Sequence, residues 1–271
     1  ELAWIPPEMR EDRGEIEAAA KGMIPCLITA GDIKGDLHVH STRSDGVDDM
    51  KTMALAAREL GYEYIAITDH TKSTRIAGGQ DETAIIEQIK EVEALNRELH
   101  SHGITVLAGA EVDILPDGTL DIADEVLERL DVVIGSVHSR FSMTEEDMTR
   151  RIIQALKNPY LHLLAHPSGR LIMKREPYAV NMEAVIAAAA EYGKGMEINS
   201  HHERLDLKDV HARRAVEQGV KIAVCTDAHS TEGFNYMVYG IGTARRGWLT
   251  KENVVNTWSL NELMAWLKRR C

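Results

Sequence analysis

Histidines and carboxylates stand at the ends of the short apolar runs of this 271-residue chain. The first run, Gly35–Val39, contains His38 and leads directly into His40. Alternate residues of a β-strand point to the same side, so these two imidazoles can face one metal ion. Residues of the same types follow the later runs, and the nine candidate ligands are His38, His40, Asp45, His70, Glu111, His138, His166, Asp227 and His229. One such histidine is usually a hydrogen-bonded cap, but the complete set indicates a metal centre.

The chemistry of this donor set narrows the choice of metal and of reaction. Imidazole nitrogens and carboxylate oxygens, without thiolates, suit Zn²⁺, Mn²⁺ or Fe²⁺ better than Ca²⁺. The candidates outnumber the ligands that one ion needs, so we expect two or three divalent ions that share a carboxylate. A water held between such ions loses a proton near neutral pH, and the cations neutralise charge on a phosphoryl group. The expected reaction is hydrolysis of a phosphoester by a metal-activated hydroxide.

Short apolar strands alternating with amphipathic helices must position these residues. The predicted strands are Gly35–Val39, Tyr64–Thr68, Thr105–Ala110, Asp131–Val137, Leu161–Ala165, Gly195–Ile198 and Lys221–Cys225. The predicted helices are Met50–Leu60, Glu82–His102, Glu145–Leu156, Met182–Tyr192 and Leu207–Gln218. Such parallel βα units form either an open doubly wound sheet or a closed barrel. The ligand-type residues favour the barrel, because closure brings every C-terminal strand end to one mouth.

The first 33 residues have a different pattern from the rest. Pro6 and Pro7 exclude a helix interior at that point, and Glu11–Lys21 is predicted to form a short helix closed by Gly22. We interpret residues 1–33 as a connector or strap laid against a main domain of residues 34–271. The chain begins with Glu1 instead of Met, and we therefore expect a fragment or a processed form.

Composition excludes several classes of function. The net charge of −12 argues against a chain that grips long nucleic acid through bulk electrostatics, which requires clustered Lys and Arg. No apolar run approaches the ~20 residues that span a bilayer. Three cysteines are too few for a disulfide framework or a thiolate zinc site. We expect a monomeric cytoplasmic protein without a membrane partner.

The ordered motifs resemble those of the PHP (polymerase and histidinol phosphatase) superfamily. They are Asp36–Ser41, Thr68–His70, Glu111, Val137–Ser139, Ala165–Pro167 and Thr226–His229. Further segments are similar to the C-terminal PHP domain of bacterial family X DNA polymerases, namely Ile5–Gly14, Ala77–Gly79, Gly169–Leu171, Glu176–Tyr178 and Arg204–Leu207. The resemblance covers nearly the whole chain. It implies an α/β fold, a distorted (β/α)7 TIM-like barrel of the PHP type.

The resemblance also implies a trinuclear metal site. The implied ligands are His38, His40, Glu111 and Asp227 for one ion, Glu111, His138 and His166 for a second, and Asp45, His70 and His229 for a third. Glu111 thus bridges two ions, and Glu111 and Asp227 are the residues to which the resemblance gives catalytic roles. The implied activity is a manganese-stimulated 3′–5′ exonuclease and related 3′-end phosphoesterase activity.

Basic residues on the loops after the strands are candidate phosphate contacts. Guanidinium groups bind phosphate in a bidentate manner, and Arg170 and Arg175 follow His166 closely. The full set of candidates is Arg170, Arg175, Lys72, Arg140 and Arg204. The loop Ser200–Glu203 departs from the family pattern, so we expect the pocket rim to differ there.

Three functions are compatible with these observations. The leading one is a metal-dependent phosphodiesterase that acts on DNA 3′ ends, in a family whose polymerase module lies N-terminal to the PHP domain. The second is a small-molecule phosphatase or phosphotriesterase, because a compact barrel mouth without a DNA clamp favours small esters. The third is a non-catalytic accessory domain in which the metals only hold the scaffold.

Overall fold

The computed structural model describes residues 2–269 of the chain. Residue 1 of the predicted strap and residues 270–271 of the predicted main domain therefore lie outside the described residues. The strands are β1 (Gly35–Val39), β2 (Tyr64–Ile67), β3 (Thr105–Asp113), β4 (Val132–Ser136), β5 (Leu163–Leu164), β6 (Gly195–Asn199) and β7 (Ile222–Cys225). The α-helices are α1 (Glu15–Ala20), α2 (Met50–Glu59), α3 (Glu82–Leu99), α4 (Asp124–Leu127), α5 (Glu145–Leu156), α6 (Met182–Glu191), α7 (Asp209–Glu217), α8 (Met237–Arg246) and α9 (Leu260–Leu267).

The seven strands form one parallel sheet in which each strand pairs with the next along the chain. The sheet curls until the two edges meet beyond the C-terminal ends of β1 and β7. There the backbone N–H of His40 donates to the carbonyl of Ala228 at 2.8 Å. The buried carboxylate of Asp36 accepts hydrogen bonds from both the backbone and the hydroxyl of Thr226. This nearly closed barrel, with its helices, confirms the predicted fold class.

Two elements differ from the sequence prediction in ways that matter for the site. The third strand continues to Asp113 because its end pairs with β4 as far as Ser136. Glu111 consequently lies within a strand rather than on the loop after it. The seventh helix begins at Asp209 instead of Leu207, because Asp206 and Asn199 exchange backbone hydrogen bonds and hold that segment against the end of β6.

The barrel is closed at the end opposite the histidine-bearing strand ends. A buried apolar cluster fills its interior, with members that include Leu37, Tyr64, Leu107, Ile134 and Leu163. Helix α9 contributes Leu263 and Leu267 to this cluster. The imidazole of His162, just before β5, lies 3.0 Å from the carbonyl of Leu267, which fixes α9 at the N-terminal ends of the strands. Within residues 2–269, α9 therefore covers the N-terminal end of the barrel, and the histidine-bearing end lies opposite it.

Residues 2–33 lie along α8 and the segment after it. The side chain of Met9 is fully buried, and Glu8 forms an ion pair with Arg245 at 2.7 Å. The backbone N–H of Ile28 donates to the carbonyl of Leu249 at 3.0 Å. These contacts favour the description of this segment as a strap on the barrel. Among residues 2–269, no helix is long and apolar enough to cross a membrane.

Candidate metal centre

Strand β1 and the segment after β7 bring two imidazoles and one carboxylate to a common point. His38 and His40 are fully buried, and their Nε2 atoms lie 3.1 Å apart. Asp227 Oδ1 is 3.4 Å from His38 Nε2 and 3.1 Å from His40 Nε2. His38 Nδ1 lies 2.7 Å from Glu197 Oε1, so a neutral His38 that donates its Nδ1–H to this carboxylate carries its lone pair on Nε2. Electron pairs that converge in this way provide a binding point for a cation.

Glu111 lies at the centre of the cluster, and its two carboxylate oxygens face different imidazoles. Its Oε1 is 2.9 Å from His166 Nε2 and 3.3 Å from His138 Nε2, and its Oε2 is 2.9 Å from His70 Nδ1 and 3.4 Å from His38 Nε2. Burial acts to raise the pKa of Glu111, but the surrounding histidines outweigh it and hold that pKa well below its usual range. A carboxylate in this position can serve two cations at once.

Asp45 lies close to two further imidazoles, in a part of the site that is nearer to solvent. Its Oδ1 is 3.4 Å from His229 Nε2 and 3.6 Å from His70 Nε2. The ring of His40 stacks between those of His70 and His229, with centroid separations of 4.5 and 4.1 Å. The loop that carries Asp45 is held by Asp69, whose carboxylate accepts hydrogen bonds from the hydroxyls of Ser41 and Ser44.

All nine predicted ligands meet at the barrel mouth. Ligand atoms within 4.8 Å of one another define three overlapping groups: His40, Asp45, His70 and His229; His38, His40 and Asp227; and His70, Glu111 and His138. His166 belongs to none of these groups, but it contacts Glu111 directly. The division of the nine ligands among particular ions stays a prediction.

Several buried polar atoms in the cluster have no hydrogen-bond partner among the described residues. They are His40 Nδ1, His70 Nδ1, Glu111 Oε2 and His166 Nδ1; His70 Nδ1 and Glu111 Oε2 lie 2.9 Å apart but are not aligned for a hydrogen bond. Unpaired buried polar atoms are rare in folded proteins because their desolvation is not compensated. Bound cations would satisfy such lone pairs. The nitrogen and oxygen donors therefore fit divalent transition metals.

The protonation of the imidazoles follows the distribution of carboxylates. Burial lowers the pKa of His166 to about 4. Burial acts in the same direction on His138, but Glu111 and Asp113 outweigh it and raise the pKa of His138 to about 10. The metal-free cluster consequently holds protons on some of its ligands, and metal binding must displace them.

Two buried carboxylates that sequence reasoning did not include among the site residues orient the ligands. Glu197 accepts the Nδ1–H of His38 through one oxygen, and through the other it accepts the backbone N–H of His166 at 2.7 Å. Asp113 lies 3.2 Å from His138 Nδ1. Its signal in the sequence was the two-residue spacing from Glu111, which places both residues on one face of β3.

The five predicted phosphate contacts occupy different surroundings. Arg204 Nε lies 3.4 Å from Asp227 Oδ2, at the metal cluster itself. Arg170 donates to the backbone carbonyls of Arg204 and Leu205. Arg175 donates to the carbonyl of Gly169 and covers the ring of Phe141. Lys72 pairs with Glu82, and Arg140 has a left-handed backbone two residues after His138. The substrate-binding role of each residue stays a prediction.

A parallel α/β barrel with histidines and carboxylates gathered at its C-terminal mouth is typical of a metal-dependent hydrolase. Residues 36–201 match the family model described as "PHP domain". The chain belongs to the PHP family and is a metal-dependent phosphoesterase. Membership confirms the family predicted from the motifs.

Two curated relatives differ in kind and in length. The chain is 42% identical over 268 residues to "DNA polymerase/3'-5' exonuclease PolX" of Bacillus subtilis, an alignment that covers 99% of this chain. It spans only 46% of the length of that relative. A "Probable phosphatase" of Thermoanaerobacter sp. (strain X514) is 30% identical, with 87% of this chain and 94% of that protein covered.

A solved structure supports the fold. A histidinol phosphate phosphatase from Lactococcus lactis, in complex with zinc, L-histidinol and phosphate, superposes with a TM-score of 0.56. The comparison covers 78% of this chain and 93% of that one at 18% sequence identity. At this level of identity the likeness concerns the barrel and not the substrate.

Replacing Glu197 tests whether this carboxylate positions the metal ligands. Glu197→Gln retains the shape but replaces one hydrogen-bond acceptor with a donor, so it cannot serve both His38 and the backbone N–H of His166. We expect metal affinity to fall about 10- to 100-fold, the usual effect of losing a partner behind a metal ligand. Chelator competition measures the affinity, and Glu191→Gln on the exposed end of α6 is the matched control. Unchanged affinity in Glu197→Gln would rule out this role.

Proposed function

We propose that this chain hydrolyses phosphodiester bonds at DNA 3′ ends, as a 3′–5′ exonuclease that uses two or three divalent ions of Zn, Mn or Fe. The observation that carries the proposal is the buried Glu111 carboxylate, whose two oxygens face separate groups of imidazoles. The 42% identity to the Bacillus protein over 99% of this chain supports the choice of DNA ends. A polymerase module is the proposed partner on the N-terminal side.

The proposed ligand sets combine the geometric groups with the family pattern. They are His38, His40, Asp227 and Glu111 for the first ion, Glu111, His138 and His166 for the second, and Asp45, His70 and His229 for the third. When bound, such ions lower the pKa of water and offset the negative charge of a phosphoryl group. Glu111 and Asp227 would act in catalysis by holding these ions.

The protein's own groups align the substrate and the ligands. Glu197 and Asp113 hold His38 and His138 in fixed orientations. The guanidinium of Arg204, beside Asp227, is the proposed contact for a phosphate oxygen. Because α9 closes the other end of the barrel, the ester must enter from the mouth.

A second candidate function is that of a phosphatase for small esters, including a promiscuous phosphotriesterase. Coverage of 94% of a "Probable phosphatase" favours it. The net charge of −12 also disfavours binding of long DNA by this chain alone. Membership in a family of metal-dependent phosphoesterases argues against the third function, a purely structural role for the metals.

A substrate comparison with Mn²⁺ tests the proposed function. We expect hydrolysis from the 3′ end of a single-stranded oligonucleotide to exceed, in kcat/KM, hydrolysis of an aryl phosphomonoester and of an aryl phosphotriester. Glu111→Gln should reduce the rate by several orders of magnitude and lower the metal content, because it removes the charge that holds two cations together. Faster turnover of either small ester would favour the second candidate. No turnover of the oligonucleotide by metal-loaded protein would contradict the proposal.

Replacing Arg204 separates phosphate binding from metal binding. Arg204→Ala should lower kcat/KM on an anionic phosphodiester. The loss of transition-state stabilisation should be about 1–3 kcal/mol, the scale of a lost charge-assisted hydrogen bond. A neutral phosphotriester offers no anionic oxygen, so its hydrolysis should change little. Elemental analysis should give an unchanged metal content, and Arg150→Ala on the exposed face of α5 serves as the control. Equal losses on both esters, together with lost metal, would mean that Arg204 only positions Asp227.

A further inference from the structure

Four aromatic side chains lie together on the rim of the barrel mouth. His201 and His202 follow β6, and Tyr236 and Tyr239 stand just before and within the first turn of α8. The rings of His201 and His202 stack with their centroids 4.7 Å apart. The centroid of the Tyr236 ring lies 4.8 Å from that of His201 and 5.1 Å from that of His202. The ring centroids of Tyr236 and Tyr239 are 6.5 Å apart. We refer to these four residues as the His–Tyr cluster.

Hydrogen bonds connect the His–Tyr cluster directly to the metal centre. The amide of Asn199 donates to Asp227 Oδ2 at 3.0 Å, and its side-chain oxygen accepts the backbone N–H of His201 at the same distance. Arg204, the proposed phosphate contact, belongs to the same loop as His201. A phosphate held at Arg204 therefore brings its attached nucleoside next to these rings.

The loop that carries the two histidines is held in one arrangement. Arg170 donates to the carbonyls of Arg204 and Leu205, and Lys174 pairs with Glu203. Helix α8 can approach this loop closely because Gly240 has no side chain. A Cβ at that position would lie 1.9 Å from Ser200 Oγ. The rings are therefore positioned before any substrate arrives, which lowers the entropic cost of binding.

The exposure of the rings suits a planar partner. His202 is exposed and Tyr239 is 49% exposed, whereas His201 and Tyr236 are partly buried behind them. Nucleobases stack on such side chains irrespective of sequence, since every base has a π-face. Stacking also needs no excess of Lys and Arg, which this chain lacks.

We propose that the His–Tyr cluster stacks the base of the 3′-terminal nucleotide while Arg204 and the metal centre hold its phosphodiester. This assignment rests on the proposed hydrolysis of DNA 3′ ends and specifies how such an end is recognised. The cluster discriminates a nucleotide end from an end that lacks a base.

A kinetic comparison of two oligonucleotides tests the stacking. One ends in an ordinary 3′ nucleotide and the other in an abasic tetrahydrofuran residue with the same scissile phosphodiester. For the wild-type protein we expect KM to be about 5- to 150-fold higher for the abasic end, the range that base–aromatic stacking carries. In His202→Ala and Tyr236→Ala this ratio should fall towards one. Tyr236→Phe keeps the ring and should keep the ratio, as should His102→Ala at the opposite end of the barrel.

Fluorescence provides a readout that does not depend on turnover. The probe is an oligonucleotide with 2-aminopurine at its 3′ end and a phosphorothioate as its last linkage. Stacking on aromatic rings quenches 2-aminopurine, so wild-type protein should reduce its emission and His202→Ala should not. His202 is exposed, so this variant is expected to fold normally.

The outcomes separate this inference from the proposed function. Cleavage of both oligonucleotides with equal KM, and no quenching by wild-type protein, would overturn the stacking and leave the exonuclease proposal standing. Quenching that His202→Ala abolishes, without cleavage of either oligonucleotide, would support the stacking and overturn the exonuclease proposal. Quenching that persists in both His202→Ala and Tyr236→Ala would place the base elsewhere and overturn the inference.

Discussion

The structure depends on one buried negative charge, the carboxylate of Glu111, at the centre of a ring of imidazoles. A carboxylate in such surroundings is stable only if positive charge compensates its loss of hydration. Its Oε1 accepts a hydrogen bond from Ser136 and faces His138 and His166, while Oε2 faces the other side of the cluster. In the metal-free protein, protonated imidazoles supply the compensating charge, which is why the pKa of His138 is raised. Divalent cations held by the same side chains would supply that positive charge instead.

The barrel fold brings together the side chains that surround the Glu111 carboxylate. Parallel strands deliver their C-terminal ends to one rim, and the bonds between Asp36 and Thr226 close the sheet there. Closure places His38 and His40 from the first strand against Asp227 from beyond the last. Helix α9 packs against the other end of the barrel, so the charged groups are concentrated at the mouth.

The sequence was sufficient to predict the barrel and the placement of the nine candidate ligands at one mouth, because strand-end position and residue type are both local properties. Their roles as ligands stay a prediction. It did not reveal that Glu197 orients His38 and His166, since that contact joins β6 to two distant segments. The contacts of Arg170 could not be predicted from the sequence either. Its guanidinium holds the carbonyls of Arg204 and Leu205 through a pairing of two loops that no spacing encodes. The extension of β3 to Asp113 likewise arises from pairing with β4.

Anomalous X-ray diffraction from crystals grown with Mn²⁺ tests the central claim that the Glu111 carboxylate is shared by two cations. If two cations share this carboxylate, we expect one anomalous peak between Glu111, His38 and Asp227. A second peak should lie on the opposite side of the carboxylate, between His138 and His166. Both peaks should lie within bonding distance of Glu111 oxygens. A single peak, or peaks that leave both oxygens of Glu111 without a metal contact, would contradict the account.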